Sequence, residues 1–155
     1  MISKDTILAI DLFRDLNPND WPISIADLPS GSALVGGSIR DGLLKKLSHK
    51  PDLDFVIPTN AIDFSEKLSK KINATFIKLD ENRDIARLVV DGWTLDFARQ
   101  FGENLKDDLL RRDFRINAIA IRLKEKPEIF DPTGGMDDLT SKKIVAISEK
   151  NLIDD

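Results

Sequence analysis

The 155-residue sequence contains no cysteine and a single histidine, His49. Without cysteine, disulfide bonds and thiolate metal sites are excluded. His49 lies in the segment LSHKPD, where we expect it to be solvated rather than catalytic. Lysine and arginine number 23 against 27 aspartate and glutamate residues, which gives a net charge of −4. Because a grip on a nucleic-acid backbone needs clustered cations, this balance argues against the chain holding a nucleic acid on its own.

Long hydrophobic runs are also missing. The start, MISKDTILAIDLF, is too short and too charged for a signal peptide or a membrane span, which predicts a cytoplasmic protein with no membrane partner. Hydrophobic residues make up 41% and charged residues 32%, as in an ordinary globular domain, so we expect one domain over residues 1–155. The final segment SEKNLIDD lacks capping or turn residues that would finish a domain. We therefore expect this boundary to cut a longer polypeptide.

The hydrophobic pattern predicts a mixture of helices and strands. Apolar residues recur at helical spacing in the first 16 residues, and SIRDGLLKKL and AIDFSEKLSKKI also fit helices. SALV, LDFVIP, ATFIKL and DIARLVV are predicted strands, and Asp-Gly in VVDGWTLDF predicts a type I′ hairpin. From Asn104 to about Leu123 the pattern predicts one bent helix or two helices. EIFDPTGGMDDL reads as strand, turn and helix, and KIVAIS as a last strand.

A pair of carboxylates opens the strand DLDFVI. Residues i and i+2 of a strand point to the same face, so Asp52 and Asp54 should stand side by side. Adjacent carboxylates repel, and oxygen ligands of this kind suit Mg²⁺ shared with substrate phosphates. Asp96 of WTLDFAR, opposite to the apolar residues of its strand, offers a third carboxylate for a two-metal phosphoryl-transfer site. Taken alone, the Asp-x-Asp pattern fits a solvated strand end better.

A glycine turn lies one short helix upstream, in LVGGSIRDGLL. Gly36 and Gly37 allow backbone N–H groups to approach a ligand, and the following helix points its positive end at the same place. Ser38 can donate a hydroxyl, and Arg40 can pair with phosphate oxygens in a fork. The structural alternative is a tight strand-to-helix turn with a surface arginine. Together with the carboxylates, the turn predicts a site for a triphosphate and Mg²⁺.

A third polar cluster lies in DLLRRDFRINAIAI. Arg112 could reach a phosphate, and Asp113 with Asn117 could bind a ribose hydroxyl. The alternative is a salt-bridge network at a helix junction, and the cluster alone does not favour either interpretation. In DPTGGMDDL, the two glycines are better explained as structural punctuation before a helix with Asp137 or Asp138 in its first turn.

These four motifs, in this order, resemble the class II tRNA nucleotidyltransferase and bacterial poly(A) polymerase family, over about Ser32 to Lys143. The resemblance implies a polymerase-β-like catalytic head of the α/β (α+β) class, with a mixed sheet flanked by helices. It implies that Asp52 and Asp54 hold the catalytic Mg²⁺. Asp96 as a third carboxylate rests on the strand pattern more than on the motif.

The resemblance also implies a nucleotide-binding set. Its members, from the glycine turn and the third cluster, are Gly36, Gly37, Ser38, Arg40, Arg112, Asp113 and Asn117. Gly37 and Arg40 would bind the incoming nucleotide at a turn shaped by their neighbours, and Arg112 would contact it. Asp113 and Asn117 would serve the ribose region.

The sequence departs from the family in three places. Position 115 is arginine where the family usually has threonine, and the link between LDFARQ and ENLKDDLLRRD is shorter than in members that build a complete CCA end. The base-reading motif would follow Asp155, as would the neck, body and tail that hold tRNA. The acidic charge agrees with an RNA-binding surface located mostly elsewhere.

The implied activity is the addition of CMP and/or AMP from CTP or ATP to a tRNA 3′ end by two-metal phosphoryl transfer. A poly(A) polymerase would share every motif. A sugar-nucleotide glycosyltransferase also uses Asp-x-Asp with a metal, but it predicts neither GGSIRD nor RRDFRINA. A degenerate head acting as a nucleotide-sensing or interaction module is the non-enzymatic alternative. The sequence does not decide between CCA, CC-only, A-only and poly(A) addition.

Overall fold

The computed structural model describes residues 2–154 and contains one seven-stranded mixed sheet flanked by helices, as the family resemblance implied. The strands are β1 (Ala33–Val35), β2 (Leu53–Ile57), β3 (Thr75–Asp80), β4 (Ile85–Val90), β5 (Trp93–Arg99), β6 (Ala120–Arg122) and β7 (Glu128–Phe130). The helices are α1 (Lys4–Leu16), α2 (Gly37–Leu43), α3 (Ala61–Ile72), α4 (Leu105–Leu110), α5 (Gly135–Thr140) and α6 (Glu149–Asp154). Three 3-10 turns cover Pro18–Asp20, Ile25–Asp27 and Arg115–Asn117.

The sheet has the order β3-β4-β5-β2-β1-β6-β7. Strands β2 and β5 run parallel at its centre, and every other neighbouring pair is antiparallel. A parallel pair needs a crossover, and α3 with the β3–β4 hairpin supplies it. None of the helices within residues 2–154 combines the length and apolar character needed to cross a bilayer.

The main core covers one face of the sheet. From β2, Leu53, Phe55 and Ile57 point into it, each at most 1% exposed, and the rings of Phe55 and Phe97 stack 5.1 Å apart. Fully burying each such side chain stabilises the fold by about 1.5–3 kcal/mol. The alternation leaves Asp54 and Val56 on the opposite face, where Val56 joins a smaller apolar cluster with α4. The pleat of β2 therefore separates the core from the face that carries Asp54.

The predicted hairpin between β4 and β5 is confirmed. Asp91 and Gly92 both have positive φ, 51° and 81°, as the type I′ turn requires. The register that follows pairs Arg87 with Asp96 across the two strands. The hairpin thereby places a cation beside one of the predicted carboxylates.

The predicted helical segment over residues 104–123 is wrong in its second half. Helix α4 ends at Leu110, a 3-10 turn follows, and the apolar run ends as strand β6. Ile119 and Ile121 enter the main core, whereas Ala118 and Ala120 enter the smaller cluster. A run that is buried on both faces has no polar alternation, so its pattern does not distinguish a strand from a helix.

The predicted last strand in KIVAIS is also wrong. Its backbone pairs with the 113–115 segment instead of the sheet: the Arg115 amide donates to Val145 and the Ile147 amide donates to Asp113. Only an isolated bridge joins Phe114 to Ala146. The apolar residues there do not share a buried face, since Ile144 is 72% exposed.

Candidate active site

The parallel pairing of β2 and β5 brings two of the predicted carboxylates together. Asp54 lies directly opposite Asp96 in the register, on the face away from the main core. Asp52 immediately precedes β2, and it lines a compartment of about 300 Å³ together with Asp54. Asp54 also lines a second cleft, of about 410 Å³, that contains Asp96. Asp54, Gly37 and Arg40 thus line both spaces.

The glycine turn touches this carboxylate directly. Gly36 has φ of 82°, and a Cβ atom added to it would lie 2.7 Å from Oδ2 of Asp54. A side chain at position 36 would therefore be strained by its backbone and would collide with the carboxylate. Gly36 is needed because Asp54 occupies the space that its side chain would fill.

Arg40 joins the glycine turn to the third cluster. Its Nη1 donates to Oδ1 of Asn117 at 3.0 Å, although the two residues lie 77 positions apart. Nδ2 of Asn117 donates in turn to Oδ1 of Asp113 at 3.1 Å. Nε of Arg40 donates to Oδ1 of Asp41 at 3.1 Å. The structure therefore brings the first and third motifs into one hydrogen-bonded network beside Asp54.

Ser38 supplies a polar group with unused hydrogen-bonding capacity. The residue is 4% exposed, and among the described residues its hydroxyl has no partner. Such buried hydroxyls normally have one, so a ligand in the adjoining compartment is a natural partner. Lys50 and Arg40 line the same compartment as Asp52 and Ser38.

Electrostatics make Asp54 the most perturbed carboxyl group of the site. Burial, the largest cause, and the nearby charges of Asp96 and Asp52 together raise the pKa of Asp54 to about 6. The guanidinium groups of Arg112 and Arg87 act in the opposite direction and lower this pKa. Crowded carboxylates of this kind bind a proton or a metal ion to relieve their repulsion.

The donor set fits a magnesium ion that shares its ligands with a substrate. No group of three or more acidic or histidine side chains within residues 2–154 forms a metal cage. Mg²⁺ in nucleotide sites is commonly held by one or two carboxylates plus phosphate and water, so such a cage is not required. Asp52 and Asp54 supply the carboxylates, and the space beside Gly36 and Ser38 suits the phosphates.

The third predicted carboxylate is engaged with an arginine that the sequence analysis missed. Both oxygens of Asp96 accept from Arg87, at 2.8 Å from Nε and 3.0 Å from Nη2. The fork neutralises Asp96 and fixes its orientation beside Asp54. Asp96 as a catalytic group stays a prediction. The signal for Arg87 was present, because the hairpin register alone pairs positions 87 and 96.

A buried aspartate organises the RRD motif and was also missed. Asp108 is fully buried, and its carboxylate accepts from the Phe101 amide at 2.8 Å and from Nη2 of Arg112 at 3.2 Å. Nη2 of Arg111 lies 3.6 Å from the same carboxylate. The spacing Asp108–Arg112, four residues apart across the end of α4, was a usable signal.

The segment DPTGGMDDL has the structural role that was predicted for it. The carboxylate of Asp131 accepts from the amides of Gly135 and Met136 and so caps α5. Asp138 is buried and lies 3.8 Å from Nη1 of Arg115, the residue that departs from the family pattern. A Cβ on Gly135 would overlap the carbonyl of Arg115, so α5 packs directly on the third cluster.

Two further residues complete the surroundings. The side-chain amide of Asn151, in α6, donates to the carbonyls of Leu110 and Arg112 at 2.7 and 2.8 Å. Helix α6 is therefore fastened to the loop that carries the RRD motif. His49 is exposed in its loop, as predicted.

Comparison with known proteins places this site in a family. Residues 32–145 match the family model described as the poly A polymerase head domain. The chain is 40% identical over 134 residues to a CC-adding tRNA nucleotidyltransferase of Synechocystis sp., which covers 86% of this chain and 32% of that protein. It is 39% identical over 124 residues to an A-adding tRNA nucleotidyltransferase of Deinococcus radiodurans, covering 80% of this chain and 27% of that protein.

The solved structures agree. A Thermotoga maritima CCA-adding enzyme complexed with tRNA superposes with a TM-score of 0.69 at 28% identity, covering 97% of this chain and 33% of that one. The chain spans only 27–32% of the length of these curated relatives. The family resemblance drawn from the four motifs is confirmed, and the chain belongs to the poly A polymerase head domain family of nucleotidyltransferases.

Proposed function

We propose that residues 1–155 are the catalytic head domain of a longer enzyme that adds CMP, AMP or both to the 3′ end of tRNA, using CTP and ATP. The observation that carries the proposal is the Arg40–Asn117 hydrogen bond, which assembles two distant motifs beside Asp54. The named relatives add C, A or CCA to tRNA, which supports tRNA as the acceptor.

In this proposal the glycine turn and Arg40 hold the triphosphate. The backbone at Gly36 and Gly37 approaches the phosphates closely, and the Ser38 hydroxyl donates to one of their oxygens. Arg112 neutralises further phosphate charge, because it lines the 410 Å³ cleft that also contains Asp54. Asp113 and Asn117, which line the same cleft, receive the ribose hydroxyls.

The reaction joins the 3′-hydroxyl oxygen of the RNA to the α-phosphorus of the nucleotide. The bond from that phosphorus to the bridging oxygen breaks, pyrophosphate leaves, and the hydroxyl proton is lost. Asp52 and Asp54 would hold Mg²⁺, which, when bound, lowers the pKa of the attacking hydroxyl and neutralises phosphate charge. Above pH 6 the Asp54 carboxylate is ionised and ready for that role. Positioning and charge stabilisation suffice, without a protein nucleophile.

Isothermal calorimetry tests the head directly. In the presence of Mg²⁺ we expect CTP and ATP to bind with similar affinities, because the base-reading motif was expected beyond Asp155. The Asp52→Ala/Asp54→Ala variant should lose this binding. Asp63→Ala, which removes an exposed carboxylate from α3, is the matched control and should bind normally. Binding that survives in the double variant would contradict the proposed site.

Transfer is tested on defined RNAs. Longer protein that includes the residues after Asp155 should extend tRNA ending before the CCA sequence, and Asp54→Ala should abolish extension. Sequencing the products separates CC, A, CCA and poly(A) addition. Normal nucleotide binding with no transfer onto any RNA would favour the nucleotide-sensing module instead.

A further inference from the structure

Three charged side chains form a row across the centre of the sheet. The register pairs Asp96 of β5 with Asp54 of β2 on one side and with Arg87 of β4 on the other. All three lie on the face opposite the main core, because residues paired in register point to the same face of a sheet. Arg87 is thus two strands away from Asp54, and Asp96 lies between them.

The fork between Arg87 and Asp96 engages the whole carboxylate. Both of its oxygens accept from one guanidinium, at 2.8 and 3.0 Å, and the side chains of Arg87 and Asp96 are 39% and 23% exposed. A cation fixed at this distance repels a metal ion that approaches the same carboxylate. Asp96 is therefore a poor metal ligand while the fork is intact.

The carboxylates of the site also divide between two spaces. Asp52 and Asp54 line the 300 Å³ compartment together with Ser38, and Asp96 is not among the described residues that line it. Asp96 lines the 410 Å³ cleft instead, where Asp52 is missing from the described lining. The compartment therefore groups Asp52 with Asp54, whereas the fork groups Asp96 with Arg87.

Arg87 lies within electrostatic reach of the predicted metal ligands. Its hydrogen bond with Asp96 and the charge of that carboxylate raise the pKa of Arg87, and the charges of Asp52 and Asp54 raise it as well. Neighbouring strands lie about 4.8 Å apart, so a guanidinium held at Asp96 is about one strand spacing from Asp54. A loss of charge at Asp96 would draw Arg87 to Asp54, the next carboxylate in the row. There the guanidinium would compete with a metal ion.

We infer that Asp96 restrains Arg87 and is not a third metal ligand. Its carboxylate holds the guanidinium away from Asp54, so that Asp52 and Asp54 stay free to bind Mg²⁺. Asp96 is in this sense a positioning residue that acts through Arg87, which is the alternative to the third-carboxylate role that the strand pattern predicts. The inference rests on the proposed function and defines which carboxylates hold its metal.

Electron paramagnetic resonance with Mn²⁺ alone, a spectroscopic substitute for Mg²⁺, tests the inference at about pH 8, where Asp54 is ionised. Asp96→Asn should weaken Mn²⁺ binding about 10-fold or more, because the released Arg87 competes for Asp54. Asp96→Asn/Arg87→Leu should restore the affinity to within about 3-fold of the unmodified chain, since the competing cation is gone. Arg87→Leu alone should tighten binding about 3- to 10-fold, because it leaves an uncompensated carboxylate beside the metal.

Asp11→Asn is the matched control. Asp11 and Arg14 form an exposed ion pair of 3.1 Å on α1, so this substitution also releases an arginine. Helix α1 packs on the main core, on the face of the sheet opposite Asp54. Asp11→Asn should therefore bind Mn²⁺ as the unmodified chain does. Urea unfolding of the same samples checks that each variant is folded.

The signs of the effects separate the inference from its alternatives. Mn²⁺ binding that stays weak in the double variant would make Asp96 a direct ligand and overturn the inference. Unchanged affinity in Asp96→Asn, or weaker binding in Arg87→Leu, would overturn it too. A fork with only a structural role would weaken binding in all three variants. Mn²⁺ binding that Asp52→Ala/Asp54→Ala leaves intact would instead count against the proposed function.

Discussion

At the scale of single residues, the site depends on a contact between a glycine and an aspartate. Gly36 has a backbone conformation that disfavours side chains, and its missing Cβ leaves room for the Asp54 carboxylate. The sequence predicted both residues, but as separate features: a phosphate turn and a metal ligand. The structure shows that the turn also shapes the carboxylate, because Oδ2 of Asp54 fills the space over the glycine.

Substitution of this glycine measures the combined cost of backbone strain and of the collision with Asp54. Gly36→Ala should destabilise the fold by about 1–3 kcal/mol through its positive φ, and displacing Asp54 should add at least about 1 kcal/mol. Gly134→Ala is the control for a glycine of positive φ that has no such contact: its φ is 84°, its ψ of 25° is left-handed helical, and nothing lies within 4 Å of its added Cβ, whereas Gly36 has ψ of −152°, a conformation nearly restricted to glycine. Urea unfolding measures the loss of stability in the Gly36→Ala and Gly134→Ala variants. Equal losses in the two variants would mean that the contact with Asp54 carries no cost.

The shifted pKa of Asp54 predicts a pH-dependent stability in metal-free solution. Because its pKa is raised from 3.8 to about 6, the folded chain binds this proton more tightly than the unfolded chain does. This carboxyl group should therefore lower the free energy of unfolding as pH rises from about 4 to about 6, and have no further effect above that. For a partly exposed group we expect about 2 kcal/mol. Urea unfolding in EDTA should show that Asp54→Asn lacks this change, and an unchanged profile would contradict the shift.

At the scale of secondary structure, a side chain of α4 fixes the segments on both sides of the helix. The fully buried Asp108 neutralises Arg112 and also accepts from the Phe101 amide, so one carboxylate fixes both ends of the helix. A buried ion pair need not stabilise the protein, but removal of one partner leaves an uncompensated charge.

Asp108→Ala should therefore lower the free energy of unfolding by about 3 kcal/mol and weaken nucleotide binding through Arg112. Asp107→Ala is the control: its carboxylate is only half-buried and accepts from the Glu103 amide without pairing with an arginine, so its loss should cost about 1 kcal/mol or less. Chemical unfolding and CTP calorimetry give the two readouts. Comparable effects of the two substitutions would exclude the buried charge as their cause.

The sequence predicted the elements whose conformation is set by residues that are close together in the chain. The alternation of DLDFVI predicted which face of β2 carries Asp54, and Asp91-Gly92 predicted the hairpin because both positions adopt positive φ. Strand β6 was mistaken for a helix because it is buried on both faces. The Arg40–Asn117 bond spans 77 positions, and only the folded sheet brings these residues together. A single sequence contains no signal for such a pairing.

At the scale of the whole molecule, the fold extends beyond the family match. The match begins at residue 32, yet Ala9, Leu12 and Leu16 of α1 are 0–3% exposed and belong to the main core. Leu12 lies against Gly42 in α2, where a side chain would overlap it. Helix α1 is therefore a structural part of the domain, although the motifs gave it no role.

Removal of residues 1–16 should expose this core and lower the free energy of unfolding by about 4–6 kcal/mol, the loss of two or three buried apolar side chains. That is a large share of the stability of a single domain, so the truncated chain should melt at a much lower temperature or without cooperativity. Removal of residues 149–155 is the control, because none of the described residues of α6 is buried. Thermal melting followed by circular dichroism compares the two truncated chains with the unmodified chain. Equal melting temperatures would show that α1 is dispensable.

Helix α6 buries none of its described residues, yet it is hydrogen-bonded to the loop that carries Arg112. One amide, that of Asn151, is bonded to the carbonyls of Leu110 and Arg112, on either side of the first arginine of the motif. The helix cannot shift as a body without pulling on the peptide group that carries Arg112. A displacement of α6 would therefore also displace the backbone of Arg112, whose side chain lines the cleft that contains Asp54.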